Sequence, residues 1–226
     1  MIKPMRKTPP PSRGATPTAA ATAILDVAER LAQTLGYNGF SYADIAAQLG
    51  VTKASLHYHF PSKAELGRAL IERYRGVFGA ALDAIDARTR EPREKLRQYV
   101  RLYESVLSNE RMCLCGMLAA EYATLPEPMQ RALRAFFAAN ERWLTQLLEQ
   151  GQQEGSLTLR VPACEAAAML VGALEGGMLL ARASGDPAKF TGAARLLLAQ
   201  LESPAAASAN RRVRVARFTA RPARRS

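Results

Sequence analysis

Both histidines of the chain lie in "VTKASLHYHFPSK", residues 51–63, beside Lys53, Tyr58 and Lys63. Histidine is a common metal ligand, but side chains two positions apart on a helix diverge by roughly 200°, so one ion cannot take both His57 and His59. No third ligand clusters nearby. Hydrogen bonding and charge remain. Small Thr52, Ala54 and Ser55 allow close approach to base edges in a major groove, where Lys53 and His57 can donate to purine acceptors. Tyr58, His59 and Lys63 suit phosphate oxygens, as do a helix start at Ser41 and the hydroxyl of Tyr42. The chemistry on offer is recognition of double-stranded DNA.

A second set is the cysteines, Cys113, Cys115 and Cys164. An odd number without framework spacing predicts free thiols in a reducing cytoplasm. Cys113, in "RMCLCGMLAAE", opens a predicted helix, where unpaired N–H groups and the positive dipole end favour a thiolate. Arg111 can add to that field. Such a thiolate would sense an electrophile or an oxidant. Cys115, about 200° further round, is expected outside that environment. An inert core thiol is the competing reading and stays open. No catalytic set accompanies these residues: after His59 there is no histidine, no serine nucleophile motif and no Gly-rich phosphate loop. No enzyme, cofactor or metal site is expected.

Helices must position both sets. Ile24, Val27, Leu31 and Leu35 step by three or four, which predicts a helix over about 18–35 ended by Gly36. Ser41 caps a second, Tyr42–Leu49, stopped by Gly50, and Thr52 caps a short third limited by Pro61. Three short helices with a turn at Gly50-Val51 make a helix-turn-helix, its third helix the reader. Longer helices follow at 62–88 (a capping box at Ser62 and Glu65), 92–108, 113–124, 127–153 (closed by Gly151 and Gly155), 162–183 and 186–202. The fold class is all-α, with about nine helices. The 162–183 helix is apolar nearly all round and carries Gly172, Gly176 and Gly177, so it is either a central core helix or a subunit interface.

Charge is unevenly placed. Lys3, Arg6, Lys7 and Arg13 in 1–17 and seven arginines in 204–226 account for the whole formal net charge of +11, and neither segment has an acid. Both read as disordered basic extensions around a neutral body, split into a 18–63 DNA-binding domain and a 64–203 domain. The first apolar run, Ala19–Leu25, is too short for a signal peptide, and the longest, Ala166–Leu174, stops at Glu175. No membrane partner and a cytoplasmic location are expected.

The stretch "SYADIAAQLGVTKASLHYHFPSKAEL" resembles the helix-turn-helix of the tetracycline-repressor (TetR) family of bacterial regulators, matching at Gly50, Val51, Thr52, Lys53, Leu56, His59, Phe60, Ser62, Lys63 and Leu66. His57 departs from it, standing where the family usually has tyrosine. "RMCLCGMLAAE" is similar to a motif of the branch holding the N-ethylmaleimide reductase repressor and acrylate-responsive repressors, through Cys113, Leu114, Leu118 and Glu121. The resemblance implies a homodimer on a two-fold symmetric operator, paired through 162–183 and 186–202 at Met169, Gly172, Gly176, Leu179 and Leu196. It also implies a small-molecule or electrophilic effector bound among helices 62–183. Candidate contacts there are Cys113, Tyr103, Leu107, Met117, Glu121, Phe136, Phe137, Trp143 and Met169, most of which serve equally well as core. The rival function is an architectural nucleic-acid binder that acts through the basic tails without sequence preference.

Overall fold

The computed structural model describes residues 18–202, so the two basic tails lie outside the described residues. These residues fold into α1 (Ala19–Leu35), α2 (Tyr42–Leu49), α3 (Lys53–His59), α4 (Lys63–Arg88), α5 (Pro92–Leu107), α6 (Leu114–Ala120), α7 (Glu127–Gln153), α8 (Ala163–Ser184) and α9 (Ala188–Leu201). There is no strand among them, only one antiparallel bridge between Leu157 and Glu202. The first three helices close around Ile24, Leu31, Ile45 and Leu56. The long α4 leaves this module to pack on α7, which lies against α8, and α9 covers α8 in turn.

Local sequence explains most helix ends. Ser41 forms a full capping box with Asp44, and Gly50 ends α2 in the left-handed region at φ 67°. Ser62 caps α4 by accepting from the Glu65 N–H, without the return bond from the Glu65 side chain that the sequence suggested. The 113–124 helix is shorter than expected. It stops at Ala120, because Glu121 leaves helical geometry (φ −102°, ψ 13°), and a 3₁₀ turn follows at Tyr122–Thr124. Gly151 does not end α7; it is buried inside the helix, where an added Cβ would lie 2.4 Å from the Leu157 side chain. The chain turns instead at Gly155, φ 68°. Leu35 (56% exposed) falls off its predicted apolar stripe.

By length and composition α8 could cross a membrane, since the helix continues through Glu175 where the sequence reading ended its apolar run. Leu170, Leu174 and Met178 are nonetheless fully buried in the protein core, which the same composition also produces. The opposite face is open. Met169, Leu179 and Leu180 on α8 and Leu196 on α9 are exposed, and a Cβ built on Gly172 or Gly176 would meet no described atom within 4 Å beyond its chain neighbours and the adjoining backbone of its own helix.

Candidate nucleic-acid interface and thiol core

Helix α3 has seven residues and one fully buried side chain, Leu56. Thr52 caps it by accepting from the Ser55 N–H. Thr52, Lys53, Ala54, His57 and Tyr58 are exposed, while Ser55 and His59 are half-buried. The His57 Nδ1 lies 3.2 Å from the Pro61 carbonyl. A carbonyl only accepts, so Nδ1 carries the proton and a neutral ring presents Nε2 as an acceptor. That suits the amino group of adenine or cytosine; donation to a purine N7, as the sequence reading had it, needs the imidazolium.

Two expected phosphate contacts are structural ties instead. The Tyr42 hydroxyl is turned inward, donating to the Phe60 carbonyl at 2.7 Å and locking α2 to the end of α3. Burial, with Glu65 and Tyr37 nearby, holds its phenol well above the ordinary range. The Lys63 ammonium donates to the carbonyls of Tyr37 (2.5 Å) and Phe40 and sits 4.5 and 4.4 Å from the centroids of the same two rings. Burial lowers its pKa, opposed by Glu121 and Asp44. Lysine at the start of α4 thus staples the α1–α2 turn, with two of its three N–H groups spent inside the module. Ser41, at the surface, keeps its capping role.

The second site is a buried aromatic and thiol core. Cys113 is the N-cap residue of α6 and is 3% exposed. The Tyr74 hydroxyl reaches its Sγ at 3.7 Å, and the carboxyl of Glu175, on α8, neighbours the thiol. The surroundings work against the expected thiolate. Burial first, and then the neighbouring carboxylate, push the Cys113 thiol far above its usual range; desolvation outweighs the end of a two-turn helix. Cys115, expected elsewhere, is also fully buried, and its thiol is raised by burial, Cys113 and Glu175. Cys164 is exposed.

Glu175 is the residue that sequence reasoning missed. Its Oε1 has no partner among the described residues, and burial pushes its pKa up to about 7, opposed by the neighbouring Cys113 thiol. Gly116 makes room for it: a Cβ there would lie 2.1 Å from Oε2. A carboxylate in the middle of an apolar helix was the available signal. Around this pair stand Tyr74, Phe78, Tyr99, Tyr103 and Phe136. The Tyr99 hydroxyl bonds Tyr103 (3.0 Å) and buried Asn140 (2.9 Å). A cavity of about 10 Å³ opens between Cys113, Tyr74, Phe78 and Met178, room for one water at most.

The other effector candidates are dispersed. Met169 faces outward on α8. Trp143 stacks on Tyr99 at 5.6 Å, but its indole N–H bonds Asp86 at the surface. Phe137 is half-buried, edge-on to Phe136. Leu107 lines an outer cleft of 240 Å³ with Arg111 and Arg182, and Met117 Sδ lies 3.5 Å from Arg182. Glu121 is committed to the α1–α2 turn, its carboxylate accepting from the N–H groups of Tyr37 (2.6 Å) and Asn38 (3.3 Å). Gly36 is needed there twice over: its φ is +84°, and a Cβ would sit 2.8 Å from Glu121 Oε1.

A three-helix module with a capped, outward-facing third helix on an all-helical body defines a helix-turn-helix DNA-binding regulator. Residues 24–70 match the bacterial regulatory proteins of the tetR family, and residues 92–197 the tetracyclin repressor-like C-terminal domain. The chain belongs to the tetR family. It is 32% identical over 127 residues to the transcriptional regulator AcuR of Cereibacter sphaeroides, covering 54% of this chain and 58% of that protein. It is 31% identical over 166 residues to the regulator LmrA of Bacillus subtilis, covering 70% and 83%. A TetR-family regulator from Agrobacterium tumefaciens superposes with a TM-score of 0.80 at 36% identity, over 83% of this chain and all of that one. The repressor NemR of Escherichia coli, from the branch suggested by "RMCLCGMLAAE", is a distant match at 25% identity over 142 residues, 60% of this chain and 70% of NemR.

Proposed function

We propose that the chain is a homodimeric repressor that reads a two-fold symmetric operator with α3 and is released by a small-molecule or electrophilic effector. Residues 18–63 are the reading unit, and 64–203 sense and pair. The observation that carries this is the outer face of α3: Thr52, Lys53, Ala54, His57 and Tyr58 are exposed on a helix anchored from behind by Leu56. One two-turn helix reads few base pairs, so specificity calls for two copies. The open apolar stripe of Met169, Gly172, Gly176, Leu179 and Leu196 supplies a surface for the second.

Selection from a random DNA pool tests the reading. An inverted repeat is expected, with half-sites about 34–36 Å apart or a multiple. His57→Ala should relax preference at one base pair per half-site, at a cost of about 1–3 kcal/mol. Enrichment of no sequence would favour the architectural alternative, although the neutral body argues against it.

For the effector, support comes from the Cys113–Glu175 pair. The raised thiol needs a base, and Glu175 is in place to take its proton as sulfur bonds the β-carbon of an α,β-unsaturated carbonyl; the α-carbon then recovers a proton. The 10 Å³ cavity has no space for the adduct, so modification must push α6 outward. N-ethylmaleimide is expected to release DNA from wild type and not from Cys113→Ser, with exposed Cys164 modified first in both. Equal release from the two proteins would leave Cys113 as packing.

A further inference from the structure

Helix α1 ends without a basic residue in its last turn, yet its terminal carbonyls are capped by a cation. Arg182, in the last turn of α8, donates through Nη2 to the Thr34 carbonyl and through Nη1 toward that of Gln33 at 3.5 Å. A guanidinium at the negative end of a helix combines charge with two orphan acceptors. Across the same turn Glu121 grips the N–H groups of Tyr37 and Asn38. The α1–α2 turn is therefore held by an anion from the end of α6 and a cation from α8. Among the described residues, Arg182 makes the hydrogen bonds that join α8 to residues 18–62.

The other ties to the module come from elsewhere. Lys63 and Arg73 belong to α4, with Arg73 forking to Asp26 (2.7 Å) and Glu29 (2.6 Å) of α1. The segment from Met112 to Thr124 holds the same turn through Met112, Glu121 and Thr124. Arg182 adds the attachment to α8, and the three together fix the module's orientation. On the dimeric reading above, on which this inference rests, α8 also carries the pairing face: Met169, Gly172, Gly176 and Leu179 lie on it, and Arg182 follows one turn beyond Leu179. We infer that Arg182 is a positioning residue that fixes each reading module relative to the two-fold axis, and so sets the half-site spacing the dimer accepts. The Gln33 carbonyl also receives the N–H of Met112 at 3.2 Å. Met112 adjoins Cys113, so a displacement of the thiol core reaches the same carbonyl that Arg182 holds.

Arg182→Met tests this beside Arg182→Lys and Arg111→Met. Lysine can still reach one carbonyl, and Arg111→Met removes the same charge from the same outer cleft without touching α1. The first readout is selection from a pool of operators with varied half-site spacing. Wild type should enrich one spacing; Arg182→Met should enrich several and bind the optimum about tenfold more weakly. Arg182→Lys should recover the single optimum, and Arg111→Met should match wild type. The second readout needs no DNA: electron-spin distances between labels at Tyr58→Cys, in a Cys164→Ser background. A narrow distribution in wild type that broadens in Arg182→Met supports the inference, even if no operator is found and the repressor reading fails. An unchanged spacing optimum and an unchanged distribution in Arg182→Met would overturn it, as would a wild type with no inter-label distance at all.

Discussion

Glu175→Gln is expected to stabilise the protein at pH 8 by about 2–3 kcal/mol and to leave it nearly unchanged near pH 4.5. The carboxyl is buried, with Oε1 unpartnered, and its pKa stands at about 7 against an ordinary value of 4.5. Between those two values the folded protein holds a proton that the unfolded chain has already lost. Stability therefore falls as pH rises through that window and levels off above it. Asp44 and Asp86 have lowered pKa values and give the opposite slope at lower pH, so the difference between variant and wild type isolates Glu175. Urea unfolding across pH 4–8 at fixed protomer concentration measures it. Parallel curves for the two proteins would mean that the carboxylate ionises without cost, contrary to its burial.

What could be read from sequence was what local chemistry decides. Ser41, Thr52 and Ser62 cap helices, and Gly50 turns between α2 and α3, because each effect acts within a few residues. Contacts between distant segments were not legible. Nothing near Lys63 says that its ammonium will find the Tyr37 and Phe40 carbonyls, and nothing near Tyr42 says that its hydroxyl will reach Phe60. Glu121 and Arg182 close on the α1–α2 turn from 83 or more residues away in sequence. Their residue types pointed to ligands and solvent, and only the fold reassigns them to the module. Cys113 shows the same limit in energetic form: position at a helix start favours a thiolate, but burial depends on what packs over it, and burial is the larger effect.

The reading helix carries the second large effect. A seven-residue helix is unstable by itself in water, so α3 exists because something holds it. Its cap at Thr52 is exposed and supplies about 1 kcal/mol. The Tyr42 hydroxyl secures Phe60 at its far end, and Phe60 is half-buried. The remaining anchor is Leu56, 0% exposed. Leu56→Ala should cost about 3 kcal/mol or more through lost burial and the cavity left behind. That loss falls on an element with few other contacts, so it should appear as local opening before global unfolding. Amide exchange in residues 52–60 should accelerate by two orders of magnitude or so, since each 1.4 kcal/mol is about a factor of ten, while α7 and α8 keep their protection. Operator affinity should fall with it, because every exposed group on α3 depends on that one leucine for its direction. If α3 amides in Leu56→Ala stay as protected as in wild type, the helix is held by something other than Leu56.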